Sequence, residues 1–302
     1  MIFCTGEILV DMIASKNGET TAYARYAGGA PFNVACAVQK CGGKSGFYGR
    51  VGKDTLGVFL REFAESKSLE ETLIELDGER NTTIAFVDLD DAGERSFSFY
   101  RKGTADYRLQ IQSVIPFIEK STIVHLGSLV ISEKEGRAYA DELVAQTHKR
   151  GKLFSFDVNY RDDVFASEAE AVAVYKTYME KADIIKLSEN EIDLFSSADT
   201  LLAKLKEIAK KNQLVVVTLG GKGSAYFYNG EFAVVPSISV KPIDTTGAGD
   251  AFYGALLSRL DGQGFVDLQN ALRFANIVGA LTTTAKGAID AIPSLEIVKK
   301  YL

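Results

Sequence analysis

The stretch Asp244-Thr-Thr-Gly-Ala-Gly-Asp250-Ala-Phe-Tyr-Gly254-Ala255 carries the strongest chemical signal in the chain. Three small residues, Gly247, Ala248 and Gly249, stand where a loop runs into a helix pattern. A helix start offers unpaired N–H groups and the positive end of the helix dipole, which together bind anions. Glycine lets an anion come close to the backbone. Asp250 then falls in the first helical turn, where the dipole is expected to keep its carboxylate ionised. Anion-binding elements and an acid thus share one turn. The same residues, taken alone, also suit an ordinary helix start, with Asp244 or Thr246 as cap and Asp250 complementing the dipole. No better-known phosphate motif is complete nearby. GxGxxG fails because position 252 is Phe, and Gly220-Gly-Lys222-Gly-Ser224 lacks the GxxxxGK[ST] spacing.

A second stretch, Ala27-Gly28-Gly29-Ala30-Pro31-Phe32-Asn33-Val34-Ala35, again places glycines before a helix that starts on proline. Asn33 brings a donor and an acceptor to that first turn, which suits a polyol. By itself this too could be a plain helix start.

The elements that must position these residues follow from pattern. Ile2 to Val10 reads as a buried strand interrupted at Gly6-Glu7, Pro31 to Cys41 as a helix ended by Gly42-Gly43, and Ser45 to Val51 as a strand. Asp54 is placed to cap a helix reaching about Ser66. Thr82–Leu89 and Glu94–Tyr100 alternate around the turn Asp90-Asp91-Ala92-Gly93, which predicts a β-hairpin with one apolar face, and Ser15–Tyr26 could lie beside it. Beyond residue 121, strands are expected at Thr122–Leu126, Lys152–Asp157, Asp183–Leu187 and Leu214–Leu219. They alternate with helices at Glu133–Lys149, Glu168–Lys181 and Thr200–Lys211. That alternation predicts a mostly parallel sheet covered on both faces. Asn229-Gly230 joins a further hairpin, and Gly247–Leu260, Asp267–Ala285 and Ser294–Tyr301 read as helices.

Composition narrows the function. The 302 residues carry a net charge of −6 without a long basic run, which argues against nucleic acid and anionic membrane as partners. No stretch approaches the length of a membrane span, and the N-terminus lacks the basic start of a signal peptide. Three cysteines, Cys4, Cys36 and Cys41, match no zinc spacing and predict buried thiols in a reducing cytoplasm. With only His125 and His148, histidine-based metal hydrolases and triads are nearly excluded.

Together the two glycine-containing segments resemble the ribokinase-like carbohydrate kinases, the PfkB family. Gly6-Glu7-Ile-Leu-Val-Asp11, Thr218-Leu-Gly220, Phe274-Ala-Asn276 and Lys286-Gly287-Ala288 also match, so the resemblance runs essentially full length. It implies a three-layer α/β/α fold with a mostly parallel central sheet, one kinase domain over 1–302. A small β-sheet lid would be formed by about 12–27 and 72–103. The implied reaction is transfer of the γ-phosphoryl group of ATP to a sugar hydroxyl, with Mg²⁺ and a monovalent cation such as K⁺. Asp250 would be the catalytic base, and Gly247, Ala248 and Gly249 would form the anion hole.

Asp11, Gly28, Gly29 and Asn33 would contact the sugar. Phe99-Tyr100-Arg101 with Ala105-Asp106 resembles the bacterial and plant fructokinase branch, and Asp157-Val-Asn159-Tyr-Arg161 a strand end shared with 2-keto-3-deoxygluconate kinases. The resemblance sends Arg101 and Arg161 to substrate or phosphate. Lys186, Ser188 and Glu191 cover the family's magnesium-organising Asn-x-x-Glu motif, with Ser188 in the Asn place and Glu191 acting through water. Thr218, Gly220, Gly223, Asn276 and Gly279 would line the nucleotide. Asp244, Thr246, Thr282, Ala285 and Gly287 would hold the monovalent cation.

Fructose, phosphorylated on its 6-hydroxyl, is the expected substrate. The nearest alternative is 2-keto-3-deoxygluconate, for whose carboxylate Arg101 and Arg161 could serve, although Asp106 speaks mildly against an acidic ligand. A nucleoside kinase is disfavoured by the absence of tryptophan and of an evident base-stacking site. A silent sugar-binding regulator is disfavoured by the retained Asp250. Apolar lid faces that pair between subunits would make a homodimer.

Overall fold

The computed structural model describes residues 1–17, 20–89, 95–161 and 163–302. The expected turn at 90–93 lies outside the described residues. In chain order the strands are β1 (Ile2–Thr5), β2 (Leu9–Asn17), β3 (Thr20–Gly28), β4 (Ser45–Gly52), β5 (Glu71–Asp77), β6 (Ile84–Leu89) and β7 (Arg95–Tyr100), then β8 (Ile123–Leu126), β9 (Leu153–Asp157), β10 (Ile184–Ser188), β11 (Leu214–Thr218), β12 (Ser224–Tyr228) and β13 (Glu231–Val235). The α-helices are α1 (Ala30–Lys40), α2 (Thr55–Glu65), α3 (Ile111–Lys120), α4 (Lys134–Lys149), α5 (Glu168–Lys181), α6 (Leu201–Ile208), α7 (Ala248–Leu260), α8 (Leu268–Thr282) and α9 (Leu295–Val298).

Among the described residues the main sheet runs β13-β12-β11-β10-β9-β8-β1-β4-β5. Its strands pair in parallel from β11 through β5, and β12 and β13 close the other edge antiparallel. Such a sheet must be covered on both faces, because helices supply its crossovers. The pleat divides the burial. Along β11, Leu214 and Val216 enter one core with α1, α2, α7 and α8, while Val215 and Val217 enter the other with α3 to α6. Cys4, Cys36 and Cys41 are unpaired and buried, the first in the sheet and the others in and just after α1. No helix among the described residues is long and apolar enough to cross a membrane.

The second sheet runs β3-β2-β6-β7. Its first strand is reached when the chain leaves β1 at Gly6-Glu7, so the interruption read in the sequence is the passage between the two sheets. The boundary expected at residue 72 differs. Glu71–Asp77 pairs with β4 at the edge of the main sheet, because β4, α2 and β5 form a strand–helix–strand crossover. Asp54 caps α2 as expected, accepting from Gly57 N–H at 2.8 Å. The helix α3 has no counterpart in the sequence reading, since Pro116 stands inside it.

One close crossing sets up the chemistry. A Cβ on Gly254 of α7 would lie 2.5 Å from Ala37 Cβ and 2.6 Å from Val34 O of α1. Only glycine admits that approach, and it brings the start of α1 against the start of α7.

Candidate active site

Gly247 caps α7 in the left-handed region, at φ 71°, a conformation that glycine adopts without steric cost. The chain thereby turns sharply and presents the first-turn N–H groups outward. Ala248 N–H is partly spent on Thr245 O at 3.3 Å. Gly247 and Gly249 occupy positions with no preceding helical carbonyl to bond. Asp250 follows within the same turn.

Asp250 Oδ2 accepts a hydrogen bond from Asn33 Nδ2 at 2.8 Å, across the α1–α7 crossing. Burial pushes the Asp250 carboxyl above its ordinary value, and Asn33, Lys186 and Arg161 pull it back. The dipole alone therefore does not set its ionisation, as the sequence had suggested. A carboxylate with a raised pKa is the better proton acceptor.

Lys186, in the middle of β10, is buried near Asp250. Its Nζ donates to both Asp157 carboxylate oxygens at 2.9 Å, and a Cβ on Gly249 would approach it to 3.3 Å. Burial works against its charge, but Asp157, Glu191 and Asp250 outweigh that and hold the ammonium above its ordinary value. The cation thus sits directly under the α7 turn.

Glu191 and Ser188 form a reciprocal cap. Ser188 N–H donates to Glu191 Oε2 at 2.6 Å, Glu191 N–H donates to Ser188 Oγ at 3.3 Å, and Tyr160 N–H donates to Glu191 Oε1 at 2.7 Å. This is the capping-box pattern, so serine does local structural work in the place of the family's asparagine. Each Glu191 oxygen keeps acceptor capacity for water. Among the described residues no group of three metal-ligating side chains gathers. That donor set fits Mg²⁺, which keeps several waters and takes few protein ligands.

Asp244 ties two loops together. Its Oδ1 accepts from Thr246 N–H at 2.9 Å and Thr246 Oγ1 at 2.7 Å, and its Oδ2 from Gly287 N–H at 3.0 Å. Thr282 is turned away, its hydroxyl donating to Val278 O at 2.8 Å within α8. A monovalent cation here would take backbone carbonyls of the joined loops, to which Ala285 also belongs, rather than the Thr282 hydroxyl.

Two cavities meet at the α7 turn, sharing Thr245 and Gly249. One, of about 520 Å³, is lined by Thr218, Gly220, Gly223, Asn276 and Gly279. Residues 237–240 and Pro242, unmarked in the sequence, supply its other wall. Asn276 holds that wall in place, its amide donating to Val235 O at 2.9 Å and Pro236 O at 3.4 Å.

The other cavity, of about 330 Å³, is lined by Asp11, Gly29, Asn33, Arg161, Gly247, Gly249 and Asp250. Lys186 lines this cavity and not the larger one. Gly28 lies beneath, where a Cβ would stand 2.0 Å from Asp11 Oδ2. Sequence reasoning did not place Glu7, Leu9, Phe99, Leu129 or Asn159 in the site, yet all line this cavity. Of these, Glu7, Leu9, Phe99 and Asn159 already stood inside matching motifs, which was the available signal.

Arg101 is only 5% exposed and lines neither of these two cavities. Its Nε donates to Asp106 Oδ2 at 2.7 Å, and its Nη1 donates to Ser132 Oγ. Asp106 also accepts from Thr83 and Thr104, so it fastens the base of the small sheet and carries no information about substrate charge. His125 is likewise outside the chemistry, buried and pushed down to about 3 by desolvation.

The comparisons agree with this geometry. The model of the pfkB family carbohydrate kinases matches residues 1–295. A fructokinase of Vibrio alginolyticus is 35% identical over 298 residues, covering 97% of this chain and 96% of that protein. A crystal structure of fructokinase with bound ATP from Xylella fastidiosa superposes with a TM-score of 0.91 at 30% identity, covering 99% of this chain and 97% of the other. Fructokinase from Vibrio cholerae O395, in fructose, ADP and calcium ion bound form, gives 0.90 at 37% identity, covering 100% and 98%. An acid at a glycine-lined helix start, between two cavities, on this fold and with these relatives, places the chain in the pfkB family of carbohydrate kinases.

Proposed function

We propose that this protein is an ATP-dependent fructokinase, moving the γ-phosphoryl group of ATP onto the 6-hydroxyl of fructose. The observation that carries the reading is the meeting of a sugar-sized and a nucleotide-sized cavity at the turn that holds Asp250. Fructose would lie against Asp11 and Asn33, with its 6-hydroxyl at Asp250. As the hydroxyl oxygen bonds to phosphorus and the bond to ADP breaks, the hydroxyl proton passes to the Asp250 carboxylate. The N–H groups at Gly247, Ala248 and Gly249, with Lys186 and Arg161, face the charge on the transferring group. Phosphoryl transfer is mostly positioning and charge stabilisation, so this arrangement suffices in kind. Magnesium on the phosphates would add charge neutralisation, with Glu191 accepting hydrogen bonds from its waters.

The four-stranded sheet is the lid in this reading. Its β2 carries Asp11 and its β7 carries Phe99, so closure would seal the sugar from water and limit ATP hydrolysis. On its other face Tyr23 and Tyr100 pack their rings on Phe86 at 5.1 and 5.3 Å, and Tyr100 is 65% exposed. That aromatic face is the surface through which two copies would pair. Analytical ultracentrifugation should show a dimer that Tyr100→Ser weakens, and a monomeric wild-type protein would refute the pairing. Three buried, unpaired cysteines suit the cytoplasm, a placement that recovery from an oxidising compartment would overturn.

ADP release across fructose, 2-keto-3-deoxygluconate, ribose and adenosine tests the reaction. Fructose should give the highest kcat/KM. Preference for the sugar acid would move the assignment to a 2-keto-3-deoxygluconate kinase. Normal ATP binding with no turnover of any of them would indicate a silent regulator.

A further inference from the structure

We infer that Glu7 is a sugar-contacting residue that selects a neutral polyol over a sugar acid. The inference rests on the fructokinase reading of the site and deepens it.

Glu7 sits in the passage between β1 and β2, where the chain leaves the main sheet for the lid. Its side chain is fully buried, yet neither carboxyl oxygen has a hydrogen-bond partner among the described residues. A buried polar group left unsatisfied carries its full desolvation cost, so native folds rarely retain one without a reason. The space for it is built. A Cβ on Gly127 would lie 2.4 Å from Glu7 Oε2, so only glycine there leaves room for the carboxyl. Glu7 is among the residues that line the sugar cavity. A ligand hydroxyl is therefore the partner that the fold itself does not provide.

The neighbours decide which ligand. Asp11, Asp250 and Glu7 line the same cavity, and Asn33 Oδ1 is also buried without a partner. This wall is rich in acceptors, which a ligand made of hydroxyl groups satisfies. Burial pushes the Glu7 carboxyl up to about 8, with its own backbone N–H and Arg101 opposing and Asp106 and Asp250 reinforcing the rise. At neutral pH it can thus donate as well as accept, which matches a hydroxyl in either role. A substrate carboxylate would bring further acceptors and a negative charge against this wall. The cations do not answer it there. Arg101 is held by Asp106 through Nε and by Ser132 through Nη1, with Nη2 buried and unpartnered among the described residues, and it lines neither cavity, while Lys186 is paired with Asp157. Arg161 does line the cavity, and it acts on Asp250.

Steady-state kinetics of the full chain with Glu7→Ala and the near-isosteric Glu7→Gln test this, with fructose and 2-keto-3-deoxygluconate as paired substrates. Glu7→Ala should raise the KM for fructose about tenfold, the loss expected for one good hydrogen-bonding partner, with kcat at saturation within about threefold and the KM for ATP unchanged. Glu7→Gln should raise it less. In both, the ratio of kcat/KM for fructose over the sugar acid should fall by about fivefold or more. A Glu7→Gln enzyme that melts like the wild type and keeps both the fructose KM and that ratio overturns the inference. So does a variant whose kcat falls while its fructose KM holds, which would indicate a displaced α1. If Glu7→Ala does not fold, Glu7→Gln carries the test alone. A wild-type enzyme that ignores fructose but phosphorylates another neutral sugar overturns the fructokinase reading only, and Glu7 is then judged on that sugar. A wild-type preference for the acid overturns both.

Discussion

Burial raises the Asp250 carboxyl, and three neighbours restrain the rise: the Asn33 amide, the Lys186 ammonium and the Arg161 guanidinium. The base works deprotonated, so the acid limb of kcat/KM follows the Asp250 pKa of the free enzyme. Asn33→Ala removes one of the three lowering influences. The limb should then move to higher pH, with kcat/KM down about ten- to a hundredfold below it, as expected for losing a hydrogen bond to a charged group. A limb that stays or moves to lower pH would refute the positioning role of Asn33. Both residues were legible in the sequence because each sits at a glycine-marked helix start. Leu129 was not, since nothing local distinguishes it and only the fold brings its segment against the one that carries Glu7 and Leu9. The place of Arg101 was not legible for a related reason. Its partner Asp106 stands only five positions on, but whether that pair faces the ligand or fastens the sheet is decided by tertiary burial.

At the level of elements, the crossing of α1 over α7 is what lets Asn33 reach Asp250. Gly254→Ala places a methyl where only 2.5 Å separates it from Ala37 Cβ. The helices must shift apart, at a stability cost of about 1–3 kcal/mol. Turnover should fall with the Asn33–Asp250 bond while ATP still binds, read by thermal melting, calorimetry with ATP, and kcat on one preparation. Unchanged melting and kcat would show that the crossing tolerates the methyl. Most elements were visible in the sequence, because alternation of buried strands with helices is a strong periodic signal. Two were lost for identifiable reasons. Pro116 argues locally against α3, but Val114, Phe117 and Ile118 bury enough of its face to hold the helix. The strand β5 reads like its lid neighbours in composition, and only its pairing to β4 assigns it to the main sheet.

For the molecule as a whole, the net charge of −6 says little about a partner as acidic as ATP. The nucleotide cavity is lined by glycines, small hydroxyl residues and apolar side chains, and the cations gather only at the α7 turn. In the proposed reading anion recognition is local, made of helix-start N–H groups and buried Lys186, and the net negative charge does not prevent it. The parallel sheet delivers Asp157 from the end of β9 and Lys186 from the middle of β10, and the small sheet delivers Asp11. The antiparallel edge, with the segment after it, shapes the nucleotide wall. Everything converges on one carboxylate, so one comparison tests the account most directly: fructose-dependent ADP release by the wild type and by Asp250→Asn, side by side. The account predicts turnover by the wild type and a loss of about a thousandfold or more in kcat for the variant, with melting and ATP affinity preserved. An Asp250→Asn enzyme that keeps kcat within about tenfold of the wild type would contradict it.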